Sequence, residues 1–474
     1  MSTLVLFGCI IAMGVILSKF SRRSTATILH FGPQPATLTI RKDGTGLVNA
    51  SLKDLASSYI PALFIPFKPV WWLPSGHLQT IYCVVGDFSK VDVLQYKRQL
   101  LRLTDGGTMY DSRFPCSLRA ESPQWARFLH PQTILKFRKT PRSSLYCMGS
   151  PEAGSYESYV RSILVPATSP VSEGGLGYRA VVVNFRGCAG VEVTSAQLYS
   201  AGYTGDIRTA LAYISNRYPR APLLGIGFSL GANVLTRYLA EEGEQSRLSS
   251  GCALACPWDL AKNNDGLRFS FLGRFYSRAM AANLTNLLRR NLGGLSGHPT
   301  LAPHIDAVLQ MKNALLDEFD DNFTRVAGGA APDFPFPSAQ AYYKWGSSHN
   351  VVSQIRVPYL AMNAADDPVV TRVPMDGGGN GMVIMALTPS GGHLGWFQAG
   401  TKTPTVRWIT KPVLEWMSFV GNTVVHPPRA PARVYLDEDG FMREEGRDGG
   451  YKEIEGGGLI EASSWKGIPL KQGL

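Results

Sequence analysis

The apolar and polar positions change pattern several times along the chain, and each change predicts a different element. Thr3 to Ser18 is uncharged and almost wholly apolar, and Lys19, Arg22 and Arg23 follow at once. As a helix this run would be about 24 Å long, short of the roughly 30 Å hydrocarbon core of a bilayer. The pattern predicts a membrane anchor or targeting segment over residues 1–28, and its positive flank predicts that the chain beyond it stays cytoplasmic. A second apolar and aromatic stretch, Ile60 to Phe67 with Val70 to Leu73, is interrupted by prolines and reads as packed loop.

From Tyr178 the pattern alternates between short apolar runs and helical periods. Tyr178 to Phe185 is a β-branched run, as a parallel strand buried on both faces should be. A helical period over Ala201 to Asn216 follows, then strand Leu223 to Phe228, helix Ala232 to Glu242 and strand Gly251 to Cys256. This order forces parallel pairing with right-handed crossovers, and puts reactive residues at the carboxyl ends of strands. Over residues 257–354 the alternation stops. Helical patterns at Asn283 to Arg290 and Ile305 to Asp317 predict a helical lid insertion after the sixth strand, rich enough in Phe, Leu and Met to cover an apolar pocket. Strands Val357 to Asn363 and Met382 to Thr388 and helix Pro412 to Val420 resume the core. The domain is expected to span residues 29–425, and the acidic, glycine-rich residues 426–474 to form a flexible tail.

Composition adds limits. With 474 residues, 45% hydrophobic and 18% charged, the chain is that of a folded globular protein. The net charge of +11 comes without basic blocks interleaved with aromatics, so no nucleic-acid partner is expected. Its seven cysteines form no Cys-x-x-Cys pair and have no histidine at zinc spacing; reduced thiols, no metal and no cofactor are expected.

The chemistry gathers at strand ends. Gly227-Phe228-Ser229-Leu230-Gly231 lies where a strand meets a helix, the context in which a serine hydroxyl is lifted clear of a sheet. The helix that follows turns its free N–H groups toward the serine, with the backbone N–H of Leu230 the candidate oxyanion donor. A serine hydroxyl is a weak nucleophile at neutral pH, so it needs a base of pKa near 7, and that base needs a carboxylate to hold its tautomer. His393, between glycines just beyond a core strand, fits the base. Asp366 and Asp367 adjoin at the end of another strand; Asp367 is preferred, with Asp366 left to bond backbone. The order Ser229, Asp367, His393 is that of the α/β-hydrolase arrangement, a mostly parallel sheet flanked by helices.

Several ordered segments now carry a resemblance. Leu73 to Thr80, Asn184 to Cys188, Tyr199 to Thr204, Gly227 to Asn233, Cys256 to Asp259 and Gly391 to Trp396 together resemble the YheT-like, AB-hydrolase-4 family, and within it a fungal branch of medium-chain fatty-acid ethyl ester synthase/esterases and monoacylglycerol lipases. The resemblance runs from about Trp72 to Met417. It implies a serine esterase, lipase or acyltransferase working through an acyl-enzyme on an acyl ester, acylglycerol or acyl-CoA, with an alcohol as alternative acceptor. It also implies a catalytic domain held at the endoplasmic reticulum or a lipid-droplet surface. One departure stands out. The family's His-Gly-Leu-Thr-Gly-Gly-Ser-like loop, which supplies an oxyanion N–H, is matched here by Met148 to Gly154, and the strand expected before it, at Thr133 to Lys139, is interrupted by Lys136, Arg138 and Lys139. An impaired site would lose about 100- to 1,000-fold in turnover. The alternative function is therefore an acyl-lipid-binding protein of the same fold that turns over poorly.

Overall fold

The computed structural model describes residues 26–42, 44, 46–113, 144–148, 157–400, 406–427 and 432–461. The apolar segment Thr3 to Ser18 and the loop after Met148 lie outside them. Among the described residues no helix is long and apolar enough to cross a membrane.

The strands in chain order are β1 (Ile28–Phe31), β2 (Thr37–Lys42), β3 (Gly46–Ser51), β4 (Gln95–Leu103), β5 (Thr108–Arg113), β6 (Ser144–Met148) and β7 (Arg179–Asn184). They continue with β8 (Leu223–Phe228), β9 (Leu248–Leu254), β10 (Tyr359–Ala364), β11 (Val383–Thr388), β12 (Val434–Leu436), β13 (Met442–Glu444) and β14 (Gly450–Glu461). All but β2 and β3, which form a hairpin, belong to one 12-stranded sheet of order β1-β11-β10-β9-β8-β6-β7-β5-β4-β14-β13-β12. From β7 through β6, β8, β9 and β10 to β11 every neighbour pairs in parallel. The flanking strands β1, β5, β4 and β14 pair antiparallel.

Side chains alternate along a strand, so each core strand feeds two apolar layers. Val182, Ile226, Leu254 and Met362 join one layer with Trp416. Val181, Val183, Ala253 and Ala361 join the other with Leu235 and Leu239. Burial on both faces is why these strands read as unbroken apolar runs. The covering helices used below are α1 (Leu52–Tyr59), α2 (Gly76–Val85), α3 (Ser158–Thr168), α4 (Gly205–Arg217) and α5 (Leu230–Glu242), with α10 (Thr410–Ser418) near the end of the core.

Counted from β4, β9 is the sixth strand of the sheet, and the helical insertion follows it. Its longer helices are α6 (Leu260–Phe269), α7 (Phe271–Arg290), α8 (Ala302–Gln310) and α9 (Ala339–Gly346). Asp259 caps α6 by accepting the Lys262 N–H at 3.0 Å, and Ser270 both ends α6 and caps α7 by accepting the Gly273 N–H at 2.9 Å. The helical period expected over Ile305 to Asp317 is divided. α8 stops at Gln310, Asn313 takes a positive φ of 54°, and a new turn begins at Leu316.

The interrupted strand expected at Thr133 to Lys139 falls outside the described residues; β6, at Ser144–Met148, pairs in parallel with both β7 and β8. One expectation is corrected. The tail expected to be flexible carries β12, β13 and β14 over residues 434–461, with β14 paired along β4. Composition misled there because local turn chemistry outweighs it. Asp437 accepts the Phe441 N–H at 2.8 Å and Gly440 sits at φ 78°, closing a hairpin, while β4 would otherwise present an open edge.

Candidate active site

Ser229 follows the last residue of β8 directly and takes φ 48°, ψ −122°, a strained conformation for a residue with a side chain. The turn is held on both sides. Ser229 N–H donates to the Leu254 carbonyl at 2.9 Å, and the Ser229 carbonyl accepts the Ala232 N–H at 2.9 Å. A Cβ at Gly227 would lie 2.5 Å from the Ala232 Cα, so only glycine lets helix α5 return this close to β8. The serine's Oγ stands 2.7 Å from His393 Nε2. His393 Nδ1 stands 2.8 Å from Asp367 Oδ2. The three residues named from sequence therefore meet in one hydrogen-bonded line across the ends of β8, β10 and β11.

The adjoining aspartates divide the work by position. Asp367 Oδ1 accepts the N–H groups of Val369 at 2.8 Å and Val370 at 3.0 Å, which leaves Oδ2 aimed at the imidazole. Asp366 turns away and its Oδ1 accepts the Gly392 N–H at 3.0 Å, tying the strand end to the histidine loop. Leu230 is the first residue of α5, where a backbone N–H has no carbonyl one turn earlier to bond, and it lines the same cavity as Ser229.

What holds His393 was not assigned from sequence. Its backbone N–H donates to Thr80 Oγ1 at 2.8 Å, and that hydroxyl donates to the Gly76 carbonyl at 2.7 Å. Gln79, fully buried, donates to the carbonyls of Leu73 and Phe397 and accepts the Phe397 N–H at 2.8 Å. At Gly76 a Cβ would fall 1.8 Å from the Asp366 carbonyl oxygen. The segment Leu73 to Thr80 is thus a clamp on the two loops that carry Asp367 and His393. Its signal in the sequence was the motif itself, without a role. His77 in the same segment has Nδ1 2.9 Å from the Tyr276 hydroxyl, and burial lowers its pKa against the pull of Asp367.

Beside Ser229 opens a cavity of about 140 Å³, walled by Leu198, Leu230, Leu260, Leu267, Met280 and Leu284 among apolar side chains. It lies between the sheet's carboxyl edge and helices α6 and α7, so the insertion forms one side of the site. Asn233 joins the insertion to the core. Its Nδ2 donates to the carbonyls of Ala201 and Gly346, each at 2.7 Å, and its Oδ1 accepts the Ser348 N–H at 3.2 Å. Among the described residues no group of His, Cys, Asp and Glu is arranged to hold a metal ion.

Comparison with known proteins agrees with this architecture. Residues 147–374 match the family described as α/β hydrolase fold. The chain is 29% identical to a monoacylglycerol lipase of Saccharomyces cerevisiae, over 80% of this chain and 84% of that protein. It is also 29% identical to the medium-chain fatty acid ethyl ester synthase/esterase 2 of the same yeast, over 86% of this chain and 100% of that one. An embryogenesis-associated protein of Picea glauca is 28% identical, over 78% and 76% of the two chains.

Proposed function

The chain has the α/β-hydrolase fold, and from that premise we propose that it is a serine carboxylic-ester hydrolase acting on medium-chain acyl esters, with acyl transfer to an alcohol as its second outcome. The observation that carries this reading is the line from Ser229 Oγ to His393 Nε2 and from His393 Nδ1 to Asp367 Oδ2, at 2.7 and 2.8 Å. In this reading His393 takes the proton from Ser229 as Oγ attacks the acyl carbonyl. Asp367 holds the ring in the tautomer that presents Nε2 as acceptor, and stabilises the imidazolium that forms. The Leu230 N–H donates to the developing oxyanion. The proton on Nε2 then passes to the departing alkoxide, leaving the acyl group on Ser229. Water or a second alcohol, deprotonated by the same histidine, releases it as acid or ester.

The apolar wall of the cavity suits an acyl chain, and the relatives' names supply the ester class. Association with a membrane surface belongs to the same reading. It is supported by the apolar residues 3–18 and by the exposed Phe269 at the end of α6 and Phe271, Leu272 and Phe275 at the start of α7.

A fluorophosphonate probe tests the assignment: it should label the wild type and leave Ser229→Ala unlabelled. Turnover of p-nitrophenyl octanoate should fall by at least ~10,000-fold in that variant. Equal labelling of the two proteins would remove Ser229 as nucleophile. Rates on butyrate, octanoate and palmitate esters then set the acyl length.

A further inference from the structure

Asn263 and Asn264, on the second turn of α6, line the cavity that holds Ser229. They are 4% and 9% exposed. Asn263 Oδ1 accepts the Thr371 N–H at 3.0 Å and lies 3.2 Å from the Thr371 hydroxyl. A backbone N–H can only donate, so the carboxamide orientation is fixed and Nδ2 faces the other way. There Nδ2 has no protein partner, and neither does Oδ1 of Asn264. Two buried carboxamide atoms on adjacent residues of the cavity lining, one donor and one acceptor, are therefore left without a protein partner. Native proteins rarely leave such groups unpaired.

We propose, on the reading of Ser229 as the nucleophile, that Asn263 and Asn264 form the subsite for the alcohol portion of the ester, and that preferred substrates carry a further free hydroxyl there. The chemistry of an ester leaves few other occupants. Its acyl chain has nothing to hydrogen-bond and would seal both carboxamides in hydrocarbon. Its carbonyl oxygen is claimed by the oxyanion donors. A hydroxyl on the alcohol portion is donor and acceptor at once, the two roles that Asn263 Nδ2 and Asn264 Oδ1 leave open. A simple alkyl ester leaves both groups orphaned. A site built to bond a substrate hydroxyl discriminates strongly against the analogue that lacks it. The same preference applies to the acceptor in acyl transfer, where a polyol should outcompete ethanol.

The test compares glyceryl mono-octanoate with ethyl octanoate, two esters with the same acyl chain. Wild-type kcat/KM should favour the glyceryl ester by ~10-fold or more. Asn264→Leu removes the acceptor, while Asn263→Asp keeps the oxygen that Thr371 needs and removes the donor. Each should cut kcat/KM for the glyceryl ester by ~10- to 100-fold more than kcat/KM for the ethyl ester. An undiminished preference in both variants would mean that the carboxamides hold only structural water, and would overturn the proposal. So would a wild type indifferent to the two esters. Binding to Ser229→Ala separates this proposal from the catalytic one, because it needs no turnover. The non-hydrolysable 1-O-octylglycerol should raise the melting temperature of Ser229→Ala more than octyl ethyl ether does, and Asn264→Leu in that background should erase the difference. Equal shifts in Ser229→Ala would overturn the subsite even if no ester were turned over.

Discussion

Asp320 shows how one buried side chain at the cavity ties stability to pH. It is 6% exposed, its two oxygens accept from the Thr324 hydroxyl at 2.5 Å and the Tyr343 hydroxyl at 2.7 Å, and burial pushes its carboxyl up to about 6. The unfolded carboxyl titrates near ~3.9, so the folded protein binds the proton more tightly. The stability that this proton contributes is complete below about pH 4 and is lost as pH rises through about 6. A carboxamide in its place would keep an oxygen for one hydroxyl and offer its amide to the other, without ever charging. Asp320→Asn should therefore stabilise the protein, by about 1 kcal/mol more at pH 8 than at pH 5. Thermal denaturation of both proteins at the two pH values measures it, and a gain independent of pH would show that the carboxyl is not displaced. At this scale the site was largely legible. Ser229 and His393 sit between glycines at strand ends, a pattern confined to a few adjacent residues. Thr80 and Gln79 were not assigned, because their bonds cross 313 and 318 positions of sequence and leave no local spacing to read.

Helix α7 has two working faces. Tyr276, Ser277, Ala281, Leu287 and Leu288 are buried, and Met280 and Leu284 reach the cavity. The opposite stripe, at positions i, i+3, i+4 and i+7, is Phe271, Arg274, Phe275 and Arg278; Phe271 is 90% and Phe275 60% exposed, and both arginines are exposed. Aromatic side chains beside arginines suit an anionic phospholipid surface, where the rings enter the interface and the cations meet phosphates. Phe271→Ser with Phe275→Ser should cut turnover of an ester carried in phosphatidylcholine–phosphatidylserine vesicles by ~10-fold or more, since each ring contributes on the order of 2 kcal/mol of burial. Soluble p-nitrophenyl butyrate should be turned over as before. Equal losses on both substrates would place the defect inside the cavity instead of at the lipid. Sequence reading found only the second half of this helix, Asn283 to Arg290. Its first half puts large apolar residues on the outside, so the apolar period that marks a core-facing helix is blurred there. The core strands escaped such blurring because both of their faces are buried.

At the scale of the whole molecule, the parallel centre was legible and the antiparallel margins were not. β1 to β3 and α1 were not assigned from sequence, and β12 to β14 were expected to be flexible. Margins face solvent on one side and are rich in charge and glycine, so composition resembles that of loose chain while pairing is decided by distant partners. The C-terminal margin does more than cover an edge. Arg447 reaches Glu242 with both Nη atoms, at 2.8 and 2.7 Å, at the far end of the helix that begins after Ser229. Burial works against ionising that carboxyl, but Arg447 and Arg208 hold its pKa low. Arg247 pairs with Glu444 beside it. Tyr451 on β14 is 7% exposed, lies edge-on to Tyr213 of α4 with centroids 5.1 Å apart, and accepts from Asn216 Nδ2 at 3.0 Å. This contact decides whether residues 450–461 are structural. Tyr451→Ala should cost about 3 kcal/mol by opening a cavity against α4. Tyr451→Phe, which keeps the ring and strands only the Asn216 amide, should cost about 1 kcal/mol. Chemical denaturation followed by intrinsic fluorescence reads both losses. A flexible tail would leave the midpoint of both variants where it stands in the wild type, whereas a strand that completes the sheet shifts the two midpoints in that order.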